Sequence, residues 1–279
     1  MTPVAEAADR MTDGISNRSL RWLALSLLAA AVACAGTPVD RATTASPPAS
    51  QPTDPPSASA PIEFPPLRGP YDWTIDPDNF VSTVDNPYFP LVPDSVLIYE
   101  GTSGGEREVV TIRVTHETKE ILGVTCIVVR DTVKVAGEVK ENTFDWYAQD
   151  VDGNVWYMGE DTKEYEDGEV TTTEGSWEAG VKGALPGVIM PAHPEVGLAY
   201  TQEHYAGEAE DKGRIVALGE HVTVPFGSFD EIVVTEDWTP LDPRVREHKF
   251  YAPSVGVVFE EIVRGGEGVL RLVEVRSPA

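Results

Sequence analysis

From residue 95 onward, apolar and polar positions alternate with a period of two. In REVVTIRVTHE, Val110, Ile112 and Val114 fall on one face and Thr111, Arg113 and Thr115 on the other, the pattern of a half-buried strand. VTCIVVRDTV (124–133), RIVALGEHVTV (214–224) and DEIVVTEDW (230–238) read the same way, with Gly, Asp and Asn at the turns between them. No later stretch sustains helical spacing. Just upstream, Pro87, Pro90 and Pro93 break any long helix, because proline lacks the amide hydrogen that a helix interior needs. The pattern predicts a mostly β, antiparallel domain over residues 71–279.

The two halves of that domain echo each other. GVTCIVVRD (123–131) matches GSFDEIVVTED (227–237), and TFDWYAQDVDGNVWY (143–157) matches KFYAPSVGVVF (249–259). Tyr99 and Tyr205, Tyr147 and Tyr251, and Gly153 and Gly256 stand 106, 104 and 103 residues apart. A near-constant offset predicts one meander of about six strands used twice, over 95–173 and 198–275. Flat sheets of that width are unusual, so the expectation is one curled sheet or half-barrel, with two stacked sheets as the alternative. Residues 174–197, rich in Gly and Pro, read as an irregular crossover that either serves as a lid or caps the open end of the sheet.

Ahead of the domain the composition changes. Arg18 and Arg21 precede an apolar run from Trp22 to Ala33, too short to span a bilayer comfortably, which is the layout of a secretory signal over 1–33. Three acids within the first 17 residues suit such a signal poorly and favour translation from Met11. The run ends in AVAC, which resembles the lipobox of bacterial lipoproteins, with Ala31 where leucine is usual. That resemblance implies that Cys34 is diacylated and opens the mature chain, and two acyl chains anchor stably where one does not. An ordinary signal cut near Ala33 or Gly36 is the alternative. Residues 34–70 are Pro-, Ser-, Thr- and Ala-rich and cannot bury enough apolar surface to fold. They read as a tether of on the order of 100 Å, placing the domain on the extracytoplasmic face of the cell membrane.

Charge removes two classes of partner. With 21 Lys+Arg against 46 Asp+Glu, the net charge is −25. Neither a nucleic acid nor an anionic membrane surface attracts such a chain. Two cysteines give no disulfide framework, and Cys126, in an apolar strand, reads as a buried inert thiol.

The richest stretch chemically is FDWYAQDVDGNVWYMGED (144–161). Asp150, Asp152 and Asn154 fit the first, third and fifth positions of a calcium loop, with Asp161 at the twelfth. Val155, however, stands where the sharp turn needs glycine. The echo YAPSVGVVF makes the same turn without any acid. The expectation is a decorated hairpin with no cofactor, Asp150 and Asp152 lying in an exposed turn that is at most a weak calcium site. GTSGG (101–105) fits the nucleophile-elbow pattern, but a strand follows it where that motif needs a helix, so Ser103 is not a nucleophile. The five histidines lack metal-pair spacing. Adjacent acids such as Glu160 and Asp161 or Glu260 and Glu261 point to opposite faces of a strand. No catalytic constellation emerges.

DNPYFPLVP (85–93), the 145–161 stretch and MPAHPEVG (190–197) together resemble an uncharacterised family of exported bacterial proteins, over roughly residues 79–275. The resemblance implies no activity and no residue roles. More distantly, a lipid-anchored curled sheet is similar to bacterial lipoprotein carriers that hold acyl chains in a half-barrel. Two functions follow as expectations: a tethered binding module for a lipid or other hydrophobic or amphipathic ligand, and a cation-assisted hydrolase working through the first hairpin.

Overall fold

The computed structural model describes residues 71, 74–103 and 105–278. Cys34, the signal-like run and the tether lie outside these residues. The first part carries β1 (Phe80–Val81), β2 (Val96–Ser103), β3 (Glu106–Ile121), β4 (Val124–Val135), β5 (Glu138–Asp150) and β6 (Val155–Glu166). Short strands follow: β7 (Glu169–Thr172), β8 (Trp177–Glu178), β9 (Leu185–Met190), β10 (Ala199–Thr201) and β11 (Glu203–His204). A second run holds β12 (Lys212–Val224), β13 (Gly227–Thr239), β14 (Asp242–Ala252), β15 (Gly256–Arg264) and β16 (Val269–Arg276). The strands expected from alternation are those of β3, β4, β12 and β13. The next described element after β2 is the strand β3, with Ser103 paired to Glu106 and no helix among the described residues between them.

Both long runs are antiparallel meanders, and they join through β16 and β2, where Leu272 faces Tyr99 and Leu270 faces Gly101. At the other limit β6 pairs with β9, β9 with β11, and β10 with β12. Residues 199–204 therefore form a seam: Ala199–Thr201 bond to β12, and Glu203–His204 bond to β9 on the other side. The sheet curls until one short segment nearly closes it into a barrel. Two glycines permit the fit. A Cβ at Gly187 would lie 2.3 Å from the Gln202 carbonyl oxygen, and one at Gly213 would lie 2.6 Å from the Tyr200 ring.

The crossover differs from its expected irregular form. Residues 174–197 supply β8 and β9, and β9 is a strand of the barrel wall. Its glycines and prolines set the turns and the close approach at the seam, and the backbone between them still pairs with β6.

The three stretches that carry the family resemblance meet at one end of the barrel. Backbone amides of Asp85 and Asn86 donate to the Gln149 side-chain oxygen at 2.9 and 2.8 Å. The Asn86 amide group donates to the carbonyls of Gly153 and Pro191, and the Ala192 amide donates to the Asn154 side chain. From the second run, the Ser254 amide donates to the Pro87 carbonyl at 2.7 Å. Residues 84–91 thus plug this end, with Val84, Phe89 and Leu91 packed into the larger apolar cluster beside Tyr147, Tyr251 and Val233. A second cluster joins Tyr99, Val258 and Leu272 to Val224, Ile232 and Val234. Three register shifts bend the β12–β13 hairpin over to reach it.

Candidate functional site

The β5–β6 turn corrects one expectation. Asp150 is 1% exposed. Its carboxylate accepts from the amides of Asp152 and Asn154 at 3.0 and 2.9 Å, and from the Asn154 side chain and the Trp156 indole, each at 2.8 Å. It is an internal organiser of the hairpin, bonded to the Trp156 indole and paired through β1 with Phe80, and not an exposed ornament. Asp152 is exposed as expected, and Asn154 is buried against Ala192. Asp161 is not brought to them. It faces Phe144 across the ladder, six residues down β5 from Asp150, or about 20 Å at strand rise, and pairs with Lys163. The turn holds three of the four candidate ligands, and the Asp150 oxygens already accept four protein donors.

A second polar constellation lies inside the barrel. Side chains alternate across a strand, so register assigns them to faces. On β4 and β5, Asp131 faces Thr143 and Val129 faces Asp145, and on β6 Thr162 and Glu160 continue the rows. On the second run, Thr235 faces Lys249 and Lys249 faces Glu260, while Asp237 faces Glu247. One row runs Thr235, Lys249, Glu260, Leu270, Gly101, Glu108, from β13 to β3. Nearer the plug the same face turns aromatic: Phe89 meets Tyr147 edge-on at 5.1 Å, and Tyr147 stacks on Tyr157 at 4.8 Å. The interior is therefore amphipathic, with an apolar, aromatic layer under the plug and a belt of acids and hydroxyls beyond it.

Burial sets the electrostatics of that belt. Desolvation pushes the Asp131 carboxyl well above its usual range, and the charges of Glu141 and Glu260 push it further. Asp145 is raised likewise by burial, although the Tyr157 hydroxyl donates to it at 2.6 Å and opposes the shift. Glu108 is pushed up to about 7 by burial, then by Glu260 and Glu141. Glu247 rises through burial and the Glu260 charge. Lys249 is the cation set among them. Burial alone would lower its pKa, but Glu247, Glu260 and Asp237 outweigh that and hold the ammonium well above its usual range. Several polar atoms there have no protein partner: Asp131 Oδ1, Thr235 Oγ1, Asp237 Oδ1 and the Tyr200 hydroxyl. Each such atom left dry costs about 1–3 kcal/mol.

The remaining candidates play structural parts. His116 pairs with Asp94 and His221 with Asp230, both at the surface at 2.7 Å. His204 stacks on Tyr71 at 4.3 Å, and His193 is exposed. Cys126 is a buried free thiol whose pKa burial pushes up to about 12. Glu160 and Glu260 turn inward while their neighbours Asp161 and Glu261 take the opposite face, as strand geometry requires. Sequence reasoning looked for acids close in sequence, whereas this belt draws one or two from each of several strands. The available signal was polar residues at inward positions of alternating strands, as in Glu141-x-Thr143-x-Asp145-x-Tyr147 and Glu247-x-Lys249-x-Tyr251.

Fold and site together define a nearly closed antiparallel β-barrel, plugged at one end, with a carboxyl-rich interior. Among solved structures, the chain is similar to a protein from Bacteroides fragilis described as exported with a YmcC-like fold, at 18% identity and a TM-score of 0.41, covering 68% of this chain and 99% of that one. It is also similar to a protein from Parabacteroides distasonis described as a lipoprotein, at 12% identity and a TM-score of 0.37, covering 68% and 98%. No protein-family model and no curated protein matches the chain.

Proposed function

We propose that this chain is an exported, membrane-tethered binding protein that takes an amphipathic ligand into the barrel. The carrying observation is the two-part interior: an aromatic layer of Phe89, Tyr147 and Tyr157 beside a belt with unpartnered polar atoms. A ligand with an apolar body and a polar end satisfies both parts at once. The signal-like run, Cys34 and the tether support the location, as does the resemblance to exported bacterial proteins. The hydrolase reading relied on the first hairpin, where Asp150 is already engaged by four donors, so we do not favour it.

Native mass spectrometry of protein purified from its own membrane fraction tests this reading. The expected spectrum contains, besides any bare protein, a species heavier by one ligand that survives gentle activation and is lost on harsher activation. A spectrum of bare protein alone, from several mild extractions, counts against it.

A further inference from the structure

We infer that the inner belt seats an organic cation, the ammonium or guanidinium head of an amphiphile, held among Glu108, Asp131, Thr235, Asp237 and Glu260. This rests on the reading that the interior takes an amphipathic ligand and specifies the head group.

Two independent observations point the same way. The first is the sign of the charge. Glu108, Asp131 and Glu260 come from three separate strands, and the Glu260 charge raises the carboxyl pKa of both Glu108 and Asp131, a repulsion that a cation placed beside them relieves, while Lys249 is engaged with Glu247 and Asp237. An anionic head such as a carboxylate or phosphate would add to the negative charge that already raises the Glu108 and Asp131 pKa values, in a medium that screens poorly. The second is hydrogen bonding. Thr235 is fully buried, Asp131 is 4% exposed and Asp237 6%, yet Thr235 Oγ1, Asp131 Oδ1 and Asp237 Oδ1 have no protein partner. Thr235 is neither acidic nor at a turn, so its orphaned hydroxyl is not a by-product of acid clustering. All of these residues sit on the inner face by register.

Other occupants fit less well. A purely apolar ligand would bury these oxygens without partners. A bare metal ion needs ligands converging on one point, and among the described residues no group of three or more His, Cys, Asp or Glu does so. An ammonium offers three donors and a guanidinium five, so a single head group can satisfy several acceptors at once.

The test uses the full chain carrying Cys34→Ala, so that it is not lipidated, and three probes with the same eight-carbon tail: octylamine, octanol and octanoate. Titration calorimetry should show octylamine binding at least about tenfold more tightly than octanol, the size expected of one charged hydrogen bond, with octanoate weakest. Asp131→Asn and, separately, the near-isosteric Thr235→Val should each weaken octylamine by several-fold or more and leave octanol unchanged. Because a chain of charge −25 attracts amines non-specifically, Glu117→Gln/Glu220→Gln, at exposed positions, serves as the control and should bind octylamine like the parent. Equal affinity for amine and alcohol, tighter octanoate, or an equal loss in the surface control overturns the inference. If octanol or octanoate binds without an amine preference, the amphipathic-ligand reading stands and only the cationic head group falls. If no probe binds and the native spectrum is bare, both fall.

Discussion

Asp150 and Glu108 show how burial changes what an acid does. Asp150 is surrounded by donors, so removing its carboxylate strands two backbone amides, a side-chain amide and an indole N–H. Asp150→Ala should therefore lower stability by about 3 kcal/mol or more in urea unfolding, well beyond the effect of Asp152→Ala at the exposed position. Because those donors already saturate Asp150, thermal unfolding should be the same with calcium and with chelator. A calcium-dependent rise in Tm that disappears in Asp150→Asn would contradict that reading. Glu108 has acids for company instead, facing Glu260, Glu141 and Asp131. Its folded pKa of about 7 lies above the ordinary 4.5. The folded state thus holds this proton more tightly than the unfolded chain does. The contribution is complete below about pH 4.5 and is lost as pH rises through about 7. Urea unfolding at pH 5 and pH 8 should show the parent less stable at pH 8. Glu108→Gln, which cannot ionise, should show a smaller difference.

At the scale of elements, the seam at 199–204 is the most demanding piece of geometry. Gly187→Ala would drive a methyl group into the Gln202 and Thr201 carbonyls. The variant should exchange amide hydrogens faster at 185–190 and 199–204 than the parent, while β3 and β4 stay protected. Much of the wall was legible in the sequence, because apolar residues recur at alternate positions along β3, β4, β12 and β13 and turn residues separate the strands. The seam was not legible. Strands of two or three residues carry too little pattern, and a segment that changes partners midway leaves no periodic trace. The crossover was misjudged because Gly and Pro mark close approach as well as irregularity, and only tertiary context tells the two apart. The belt was missed for the related reason that its acids converge through pairing between strands far apart in sequence. The first-hairpin acids were noticed, yet the burial of Asp150 depends on its pairing with β1, whose position no local pattern reveals. Gly153 lies in the β5–β6 turn and Gly256 opens β15 just after the β14–β15 turn, with φ of 94° and 96°. Duplication of one meander is our proposal for these parallels, and superposition of 95–173 on 198–275, with Tyr147 on Tyr251, is its test.

At the scale of the whole molecule, the tether and the barrel make separate claims. If Cys34 carries the acyl anchor, Cys34→Ala should move the protein from the membrane fraction to the soluble one with its folded domain unchanged by circular dichroism. Unaltered membrane retention would refute the anchor and leave the barrel untouched. The barrel's wiring bears on the order of its making. β2 obtains its second neighbour only from β16, some 170 residues later in the chain. Contacts so distant in sequence are slow to form, because a long loop must be ordered before any pairing rewards it. A chain threaded from its N-terminus through an export pore would present its early strands first, each lacking the partner that completes it. The wall could then be finished only after the last strand had emerged, which keeps the polypeptide in a threadable form during transit and leaves assembly to the far side.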